Sequence, residues 1–297
     1  MRLSVLILAV TALSCASPSD DAALVAQLTG KIDAIVAEYP EAVVSVAVRD
    51  STTGVRYDRE PARPYHAAST MKVPVLIEVF RQAEAGRLSL DDSLRVRNEF
   101  RSIVDGSPFS IEDDSYDGLY GRLGSLVPVR ELAEYMITWS SNLATNLLIQ
   151  AVGADSVQAT SERLGTSVLK TLRGVEDLKA FEAGLNNTTT AEDLALLLEA
   201  LAEGRAVSPS ADRAMIEMLL RQEFNDMIPA GLPEGVLVAH KTGNITRIHH
   251  DAAVVYPPES GPYVLVILIE GLEQQEVSAA LGSRIARSVH ETIRPPG

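Results

Sequence analysis

The sequence predicts an α/β protein, in the α+β sense, in which terminal helices flank an antiparallel sheet and an all-α lobe is inserted. Two observations predict this class: strand-like patterns occur only near the two ends of the chain, and helical patterns fill the middle. We therefore expect residues 22–66 and 222–297 to form one discontinuous α/β lobe, and residues 67–221 to form the all-α lobe. A cleft between two such lobes is a common place for an active site.

The first segment of the α/β lobe opens with a predicted helix over residues 22–38, which Pro40 ends. Its apolar side chains share one face of the helix: Leu24, Leu28, Ile32 and Ile35. The valine-rich run at 43–48 predicts a strand, and the turn-forming residues 51–54 lead into a second short strand at 55–57. This segment is therefore expected to supply one helix and two strands.

The central part of the chain is predicted to be mostly helical. Its first helix covers residues 70–85 and ends at Gly86, a residue that suits the left-handed conformation closing many helices. Further helices are predicted over residues 130–138, 142–152, 191–203 and 210–221. We expect these helices to build the inserted lobe.

Strand patterns return near the end of the chain, at residues 235–240, 249–256 and 263–269. Proline, serine and glycine between residues 257 and 262 predict a hairpin turn that joins the last two of these strands. A final helix over residues 274–293 carries an apolar stripe, made by Val277, Leu281, Ile285 and Val289. These elements are expected to complete the α/β lobe.

Length and composition indicate a globular protein with a sizeable core. The chain has 297 residues, of which 46% are hydrophobic and only 5% are aromatic. The formal net charge is −14, and no local cluster of lysine or arginine reverses that sign. Nucleic acids and anionic membrane surfaces are therefore not expected as partners, because both attract basic proteins. Nothing in the sequence demands more than a monomer.

The N-terminus has the features of an export signal. Arg2 precedes the apolar stretch Leu3–Leu13, which is too short to span a bilayer and ends in small residues. We predict a signal peptide over residues 1–16 and a polar linker over residues 17–21. The protein is therefore expected to be exported and to lie in the periplasm or cell envelope.

Cys15 is the only cysteine of the chain, so that neither an intramolecular disulfide nor a zinc–cysteine site is expected. Residues 12–15 resemble a bacterial lipobox, in which the cysteine is lipidated and becomes the mature N-terminus. The alternative is ordinary cleavage after Ala16, which discards Cys15. We favour lipidation, and this lipid is the only membrane contact that the sequence predicts.

Ser69 and Lys72 form the first of three short motifs. A serine at a helix start is often only an N-cap, and Ser167 with Lys170 shows that the same spacing also occurs elsewhere in the chain. The spacing places Lys72 one helical turn from Ser69 on the same face. A desolvated lysine there is able to accept the serine proton, and the helix N-terminus stabilises a developing oxyanion. The pair therefore predicts an activated serine nucleophile.

Ser140, Ser141 and Asn142 lie between two apolar helical stretches and form the second motif. Small polar residues at such a place commonly cap helices. In a functional interpretation, Ser140 relays a proton to a leaving nitrogen and Asn142 binds a substrate amide. Asn146, one helical turn later, is expected to support this loop or to be a simple buried amide.

Lys241, Thr242 and Gly243 end a predicted strand and form the third motif. A lysine and a hydroxyl at a sheet edge are able to bind a substrate carboxylate. Gly243 is expected to let a substrate backbone approach closely, and the N–H of Asn244 is a candidate oxyanion donor. The alternative is an edge strand whose solvated lysine prevents aggregation.

Taken together, Ser-x-x-Lys, Ser-x-Asn and Lys-Thr-Gly in this order resemble the penicillin-recognising serine enzymes, and most of all the class A β-lactamases. The resemblance covers nearly the whole chain after the export signal and implies the β-lactamase/D,D-peptidase fold, without a cofactor or metal. The roles that it implies are nucleophile for Ser69, base for Lys72, proton relay for Ser140, substrate-amide ligand for Asn142, and carboxylate site for Lys241 with Thr242.

The sequence departs from that family in two places. Most class A enzymes have an aspartate where this chain has Ser141, a change that is compatible with acylation. Their deacylation uses a glutamate on a long loop to activate water, but the corresponding loop, residues 172–187, lacks the usual Glu-Pro-x-Leu-Asn pattern. Glu176 is the best candidate base, and the alternative is an exposed loop carboxylate. Arg247 either adds charge for the substrate carboxylate or is a surface arginine.

The resemblance implies a serine β-lactamase that opens the β-lactam ring through a Ser69 acyl-enzyme. Without a competent base the acyl-enzyme persists, and the protein is then a peptidoglycan D-Ala-D-Ala peptidase that binds penicillin. The expected partners are accordingly small-molecule β-lactams or peptidoglycan stem peptides. A zinc hydrolase and an α/β-hydrolase are disfavoured, because neither His-Glu-x-x-His nor Gly-x-Ser-x-Gly occurs. A sensor domain would need transmembrane helices, and none is predicted after the signal peptide.

Overall fold

A computed structural model of the protein describes residues 18–295, and the side chains of residues 18–20 are not described. Cys15 and the predicted signal peptide lie outside these residues. The α-helices are α1 (Pro18–Ala37), α2 (Lys72–Glu84), α3 (Val129–Thr138), α4 (Asn142–Val152), α5 (Ala154–Arg163), α6 (Leu178–Glu182), α7 (Ala191–Ala202), α8 (Pro209–Leu219) and α9 (Gln275–Ile293). The strands are β1 (Val43–Asp50), β2 (Arg56–Arg59), β3 (Tyr65–His66), β4 (Ser93–Arg95), β5 (Phe100–Arg101), β6 (Pro108–Phe109), β7 (Leu126–Pro128), β8 (Thr188–Thr189), β9 (Leu237–Ile245), β10 (Ile248–Tyr256) and β11 (Tyr263–Glu270).

The main sheet has five antiparallel strands in the order β2-β1-β11-β10-β9. Its strands come from both ends of the chain, and β1 from the first segment pairs along its whole length with β11 from the last. The predicted hairpin between residues 257 and 262 joins β10 to β11. The structure therefore confirms the predicted fold class, with helices α2–α8 inserted between β3 and β9.

Each face of the main sheet is covered by a hydrophobic core of its own. Val46 and Ile267 pack with Leu28 of α1 and Leu281 of α9, whereas Ala47 and Val266 belong to the core shared with the helical lobe. Successive strand residues point to opposite faces, so that one strand serves both cores. Full burial of one large aliphatic side chain contributes about 1.5–3 kcal/mol. The core that contains Ala47 and Val266 therefore holds the two lobes together, and the other core holds α1 and α9 on the sheet.

Helix α2 is the central helix of the helical lobe. Its residues from Lys72 to Phe80 are all buried, and it packs against α3, α4, α5 and α8. The short 3₁₀ turn Ala68–Met71 leads directly into it. The turn that carries Ser69 is therefore attached to one of the most enclosed helices of the lobe.

Three sequence predictions need correction. The linker at 17–21 was wrong from residue 18 onward, because α1 begins at Pro18; proline is favoured at a first helical position, and acidic residues suit the first turn. The strand predicted at 235–240 continues to Ile245, so that the third motif lies inside β9. Helix α5 was not predicted, because its sequence is polar and buries few side chains, Val157, Thr160 and Ser161 among them.

Within the described range of residues 18–295, no helix is both long enough and apolar enough to cross a membrane.

Candidate active site

Ser69 is half-buried in the 3₁₀ turn Ala68–Met71, just before α2. The alternative role of N-cap does not hold, because neither this turn nor α2 is capped by a side chain. Ala68, immediately before it, has a left-handed backbone with φ of 45°. A non-glycine residue in this region is energetically unfavourable and persists where its surroundings impose it.

Two histidines, the partly buried His66 and the buried His250, hold the turn in front of Ser69. His66 Nδ1 accepts a hydrogen bond from the N–H of Ala68 at 3.0 Å, and the ring of His250 bonds through Nε2 to the carbonyl of His66 at 3.1 Å. Burial lowers the pKa of His66 and lowers that of His250 to about 4, so that both rings are neutral at pH 7. The neutral form of His66 is the one able to accept from Ala68.

Lys72 Nζ reaches the second motif through three hydrogen bonds. It donates to the carbonyl oxygen of Ser140 at 2.6 Å, to Ser140 Oγ at 3.1 Å and to Asn142 Oδ1 at 2.9 Å. Complete burial lowers the pKa of Lys72 to about 7, although the charges of Asp114 and Glu176 act in the opposite direction. A substantial fraction of Lys72 is therefore neutral at pH 7 and able to accept a proton.

Lys241 approaches the same hydroxyl from the sheet. Its Nζ donates to Ser140 Oγ at 3.1 Å and to the carbonyl of Thr242 at 3.0 Å. Burial, followed by the nearby charge of Lys72, holds the pKa of Lys241 well below its usual value. Ser140 itself has a left-handed backbone with φ of 58° and is 7% exposed. One serine hydroxyl is thus shared by two buried amines, an arrangement suited to passing a proton.

Gly243 lies where β9 crosses the turn that carries Ser69. A Cβ at this position would come within 3.0 Å of Thr70 Cγ2 and 3.2 Å of the carbonyl oxygen of Ala67. The glycine therefore allows the close approach of the protein's own backbone, whereas the sequence had suggested the approach of a substrate backbone. This packing sets the position of the motif relative to the Ser69 turn.

Two cavities meet at Ser69. The first, here called the relay cavity, has a volume of about 200 Å³, and its walls include Ser140, Thr242 and Asp226. The second, here called the base cavity, has a volume of about 340 Å³, and its walls include Asn142 and Glu176. Both Ser69 and Asn244 line both cavities. Lys72 and Lys241 lie behind the walls and reach the cleft by donating to Ser140. Seven of the ten predicted catalytic and binding residues line the two cavities: Ser69, Ser140, Asn142, Glu176, Thr242, Gly243 and Asn244.

Arg247 is the predicted site residue that lies elsewhere. It occupies the tight turn between β9 and β10 with φ of 59°. Its guanidinium donates to the carbonyl of Gly271 at 2.8 Å and contacts Glu273 Oε1 at 3.3 Å, and half of its side chain is exposed. Arg247 lines neither cavity. Of its two interpretations, the structure therefore favours the surface arginine over the ligand of a substrate carboxylate.

Glu176 lies at the wall of the base cavity, and both of its carboxylate oxygens accept hydrogen bonds. Oε1 accepts from Asn142 Nδ2 at 2.9 Å, and Oε2 accepts from the N–H of Glu112 at 2.8 Å. Its backbone is left-handed, with φ of 60°. The carboxylate therefore faces the second motif, which excludes the interpretation as an exposed loop residue.

Asn146 holds the loop that carries Glu176. Its Oδ1 accepts from the N–H of Val175 at 2.7 Å, and its Nδ2 donates to the carbonyl of Val175 at 3.0 Å. The sequence had suggested either that Asn146 supports the loop of the second motif or that it is a simple buried amide. A Cβ at Gly174 would come within 2.2 Å of Asn146 Oδ1, so a glycine is needed at this position.

The rest of loop 172–187 is also fastened. Asn187 Oδ1 accepts from the N–H groups of Leu172 and Arg173, while the Arg173 guanidinium donates to the carbonyls of Gly174 and Leu185. Sequence reasoning missed these contacts, because each joins residues separated by ten or more positions or acts through the backbone. The asparagines and glycines of this loop were the only sequence feature that indicated turns with side-chain-to-backbone hydrogen bonds.

Asp114 is a further site residue that sequence reasoning missed. Its carboxylate accepts from the N–H groups of Asn142 at 2.9 Å and of Leu143 at 2.8 Å, and from Ser141 Oγ at 3.2 Å. It also accepts from the N–H of Tyr116 at 3.2 Å, a local turn contact. Asp114 ends a short acidic run over residues 112–114, and such runs are usually solvated. The tendency of aspartate to form local turns was the only feature of the sequence that set it apart.

Among residues 18–295, no group of three or more histidine, cysteine, aspartate or glutamate side chains has an arrangement that could hold a metal ion.

Comparison with known proteins points in one direction. The model of the Beta-lactamase enzyme family matches residues 27–293. The β-lactamase of Bacillus amyloliquefaciens is 28% identical over 212 residues, which are 70% of this chain and 65% of that relative. The chain therefore matches slightly less than two thirds of the length of this relative.

Solved structures share the fold over nearly the whole chain. A β-lactamase from Sphaerobacter thermophilus has a TM-score of 0.79 at 28% identity, and the match covers 90% of this chain and 98% of that one. A mutant of PBP-A, solved as an acyl-enzyme complex with penicillin G, has a TM-score of 0.80 at 25% identity and covers 91% and 97%.

Proposed function

We propose that this chain, which belongs to the β-lactamase enzyme family, is a serine hydrolase that opens β-lactam rings by the class A mechanism. One observation carries the proposal above all others: two buried amines, Lys72 Nζ and Lys241 Nζ, both donate to Ser140 Oγ at 3.1 Å beside the cavity that Ser69 lines. A structural role does not need two lysines desolvated around one hydroxyl, because burying each amine is unfavourable.

In acylation, Ser69 Oγ attacks the lactam carbonyl carbon and its proton passes to neutral Lys72 Nζ. The backbone N–H groups of Ser69 and Asn244 are the proposed donors to the oxyanion, because both residues lie where the two cavities meet. The C–N bond of the ring then breaks as the nitrogen takes a proton from Ser140 Oγ. Lys72, which carries the proton taken from Ser69, returns that proton to Ser140 Oγ.

In deacylation, Glu176 takes a proton from a water molecule that attacks the ester carbonyl. The tetrahedral intermediate then expels Ser69 Oγ, to which the proton taken from the water by Glu176 is returned, and the opened product leaves. Glu176 and Ser69 line the same base cavity, and this supports the assignment. Removal of a water proton by a positioned carboxylate is general base catalysis.

Substrate recognition is proposed for Asn142, Lys241 and Thr242. Asn142 accepts from Lys72 through Oδ1 and donates to Glu176 through Nδ2. A substrate amide bound to Asn142 would therefore lie near both the acylation base and the deacylation base. Lys241 and the Thr242 hydroxyl are the proposed ligands of the substrate carboxylate, without a contribution from Arg247.

A second function, hydrolysis of D-Ala-D-Ala peptides in peptidoglycan, is favoured by one feature of Glu176. Both of its oxygens are already engaged, by Asn142 and by the N–H of Glu112. These contacts fix the orientation of the carboxylate and leave fewer of its lone pairs for an attacking water molecule. A poorly oriented water would make deacylation slow, which is the property of a penicillin-binding peptidase. The similar structure of a PBP-A mutant is an acyl-enzyme complex with penicillin G, so penicillin acylates a protein of this fold.

Intact-mass analysis after mixing with penicillin separates these functions. A short-lived adduct with turnover of a chromogenic cephalosporin supports the β-lactamase, and a long-lived adduct supports the peptidase. Ser69→Ala should abolish both adduct and turnover, and turnover that survives would remove Ser69 from the mechanism. Glu176→Ala should trap the adduct, whereas Glu182→Ala, an exposed carboxylate of the same loop, should not. Unchanged turnover in Glu176→Ala would exclude Glu176 as the base.

Export and lipidation are proposed on the sequence of residues 1–16 alone, and a monomeric state is proposed because no feature of the sequence requires a larger assembly. Membrane fractionation of the wild type against Cys15→Ala tests the lipid. Identical distributions in the soluble fraction would reject it, and sedimentation of the soluble form tests the monomer.

A further inference from the structure

Asp114 is placed so that one carboxylate holds three consecutive residues of the second motif and the following helix. Oδ1 accepts from the N–H of Asn142 at 2.9 Å, and Oδ2 accepts from the N–H of Leu143 at 2.8 Å and from Ser141 Oγ at 3.2 Å. Asp114 comes from the loop between β6 and the 3₁₀ turn Asp117–Arg122, and so it is distant in sequence.

These contacts satisfy donors that the helix itself leaves without partners. The first N–H groups of an α-helix have no acceptor inside the helix, and an anion there also interacts favourably with the helix dipole. Ser141 caps α4 by accepting from the N–H of Ala144 at 3.2 Å, and it gives its own proton to Asp114. Charge-assisted bonds of this kind are stronger than neutral ones.

We propose that Asp114 is a positioning residue for the Ser140–Asn142 motif, supplying from a separate loop the carboxylate that most class A enzymes carry at the position of Ser141. This inference rests on the proposed function. Asp114 acts through Asn142, whose Oδ1 accepts from Lys72, and through the adjoining Ser140. It is not assigned any contact with the substrate.

The same carboxylate influences Lys72 electrostatically. Burial lowers the pKa of Lys72, while the charges of Asp114 and Glu176 raise it; the other charged group close by is Lys241. Loss of the Asp114 charge should therefore lower the pKa of Lys72 further. Since neutral Lys72 accepts the serine proton, the acylation rate should then begin to fall at a lower pH than in the wild type; this acidic side of the pH–rate profile is called the acid limb below. Simple misplacement of the motif would reduce the acylation rate at every pH without shifting the acid limb.

The first experiment compares Asp114→Asn with Asp117→Asn, which removes the same charge from an exposed residue three positions later. Penicillin acylation is followed by rapid quench and intact mass between pH 5 and pH 9. Asp114→Asn should acylate at least about tenfold more slowly at its best pH, with its acid limb shifted downward. Asp117→Asn should match the wild type. An Asp114→Asn profile that equals the wild type in rate and limb would overturn the proposal.

The second experiment moves the carboxylate. Ser141→Asp alone should lower the melting temperature, because it puts two carboxylates in contact inside the protein. Combined with Asp114→Asn, it should raise both the melting temperature and the acylation rate above those of either single variant. A double variant no better than the worse single variant would contradict the proposal, and so would its failure to fold.

The two proposals fail in different ways. A wild type that penicillin does not acylate would refute the proposed function, while the melting-temperature cycle of the four proteins would still test whether the two carboxylates replace each other. If the wild type is acylated but the two substitutions change the melting temperature additively, the role of Asp114 is refuted and the proposed function stands.

Discussion

Gly174→Ala tests whether the loop that carries Glu176 is held in place by one buried amide. The added methyl group would lie 2.2 Å from Asn146 Oδ1 and 2.8 Å from its Cγ, both below the distances that real Cβ atoms show. The side chain of Asn146 is 2% exposed and cannot rotate into solvent. We therefore expect Asn146 to be displaced from Val175, the residue before Glu176.

The size of the effect follows from these distances. Asn146 Oδ1 has to recede by about 1 Å to reach ordinary contact. This movement of the amide breaks the 2.7 Å bond that Oδ1 accepts from the N–H of Val175 and the 3.0 Å bond that Nδ2 donates to the carbonyl of Val175. Two lost hydrogen bonds with buried groups left unsatisfied cost about 2–4 kcal/mol of stability. A displacement of this size in a catalytic group slows the step that it serves by about 10²-fold.

The assay separates the two chemical steps by single-turnover kinetics with a chromogenic cephalosporin and by adduct mass. Gly174→Ala should acylate at nearly the wild-type rate and deacylate about 10–100-fold more slowly. Gly30→Ala is the matched control, because its methyl group meets nothing within 4 Å in the middle of α1. A Gly174→Ala protein that deacylates like the wild type would refute the reasoning, because Asn146 would then not determine the position of the base.

Three other outcomes are expected. The rate of acylation should decrease as the pH is lowered through about 7, because burial lowers the pKa of Lys72 to about 7 and the protonated amine cannot accept a proton. A single-turnover rate that stays constant from pH 5 to pH 8 would contradict this. Arg247→Ala should change kcat/KM by less than about threefold, because its guanidinium is bound to Glu273 outside the cleft, and a tenfold rise in KM would return it to the site. Asp251→Asn should cost about 1–3 kcal/mol in urea unfolding, because buried Asp251 accepts from His240 Nδ1 at 2.8 Å and from the N–H of Ile228 at 3.0 Å, and an unchanged free energy of unfolding would show that these contacts do not stabilise the fold.

The fold was predictable because most of its elements have a strong local signal. The strand at 43–48 and the helix at 142–152 were found within a few residues of β1 and α4, where apolar spacing and caps agree. Helix α5 was missed for the opposite reason. Its sequence is polar, and it forms because the lobe around it buries Val157 and Thr160.

The acylation residues were also predictable, because short motifs carry them: Ser69 and Lys72 are separated by one helical turn, and Lys241 and Thr242 are adjacent on a strand. The second layer of the site was not predictable. Asp114 and Gly174 act through the backbone or through another side chain, and each meets its partner only after the chain has folded. An isolated aspartate or glycine in a loop has many structural roles, so neither residue type identifies its partner.

The two halves of the proposed mechanism therefore rest on different kinds of structure. Acylation depends on α2, α4 and β9, whose cores fix Lys72 and Lys241 around Ser140. Deacylation depends on loop 172–187, which Asn146 of α4 bonds at Val175 and which Asn187 bonds internally at Leu172. Elements packed in a core yield only to large changes in packing, but a loop fastened by single contacts shifts when one contact is lost. Substitutions in the loop should therefore change the lifetime of the acyl-enzyme more than the rate at which it forms.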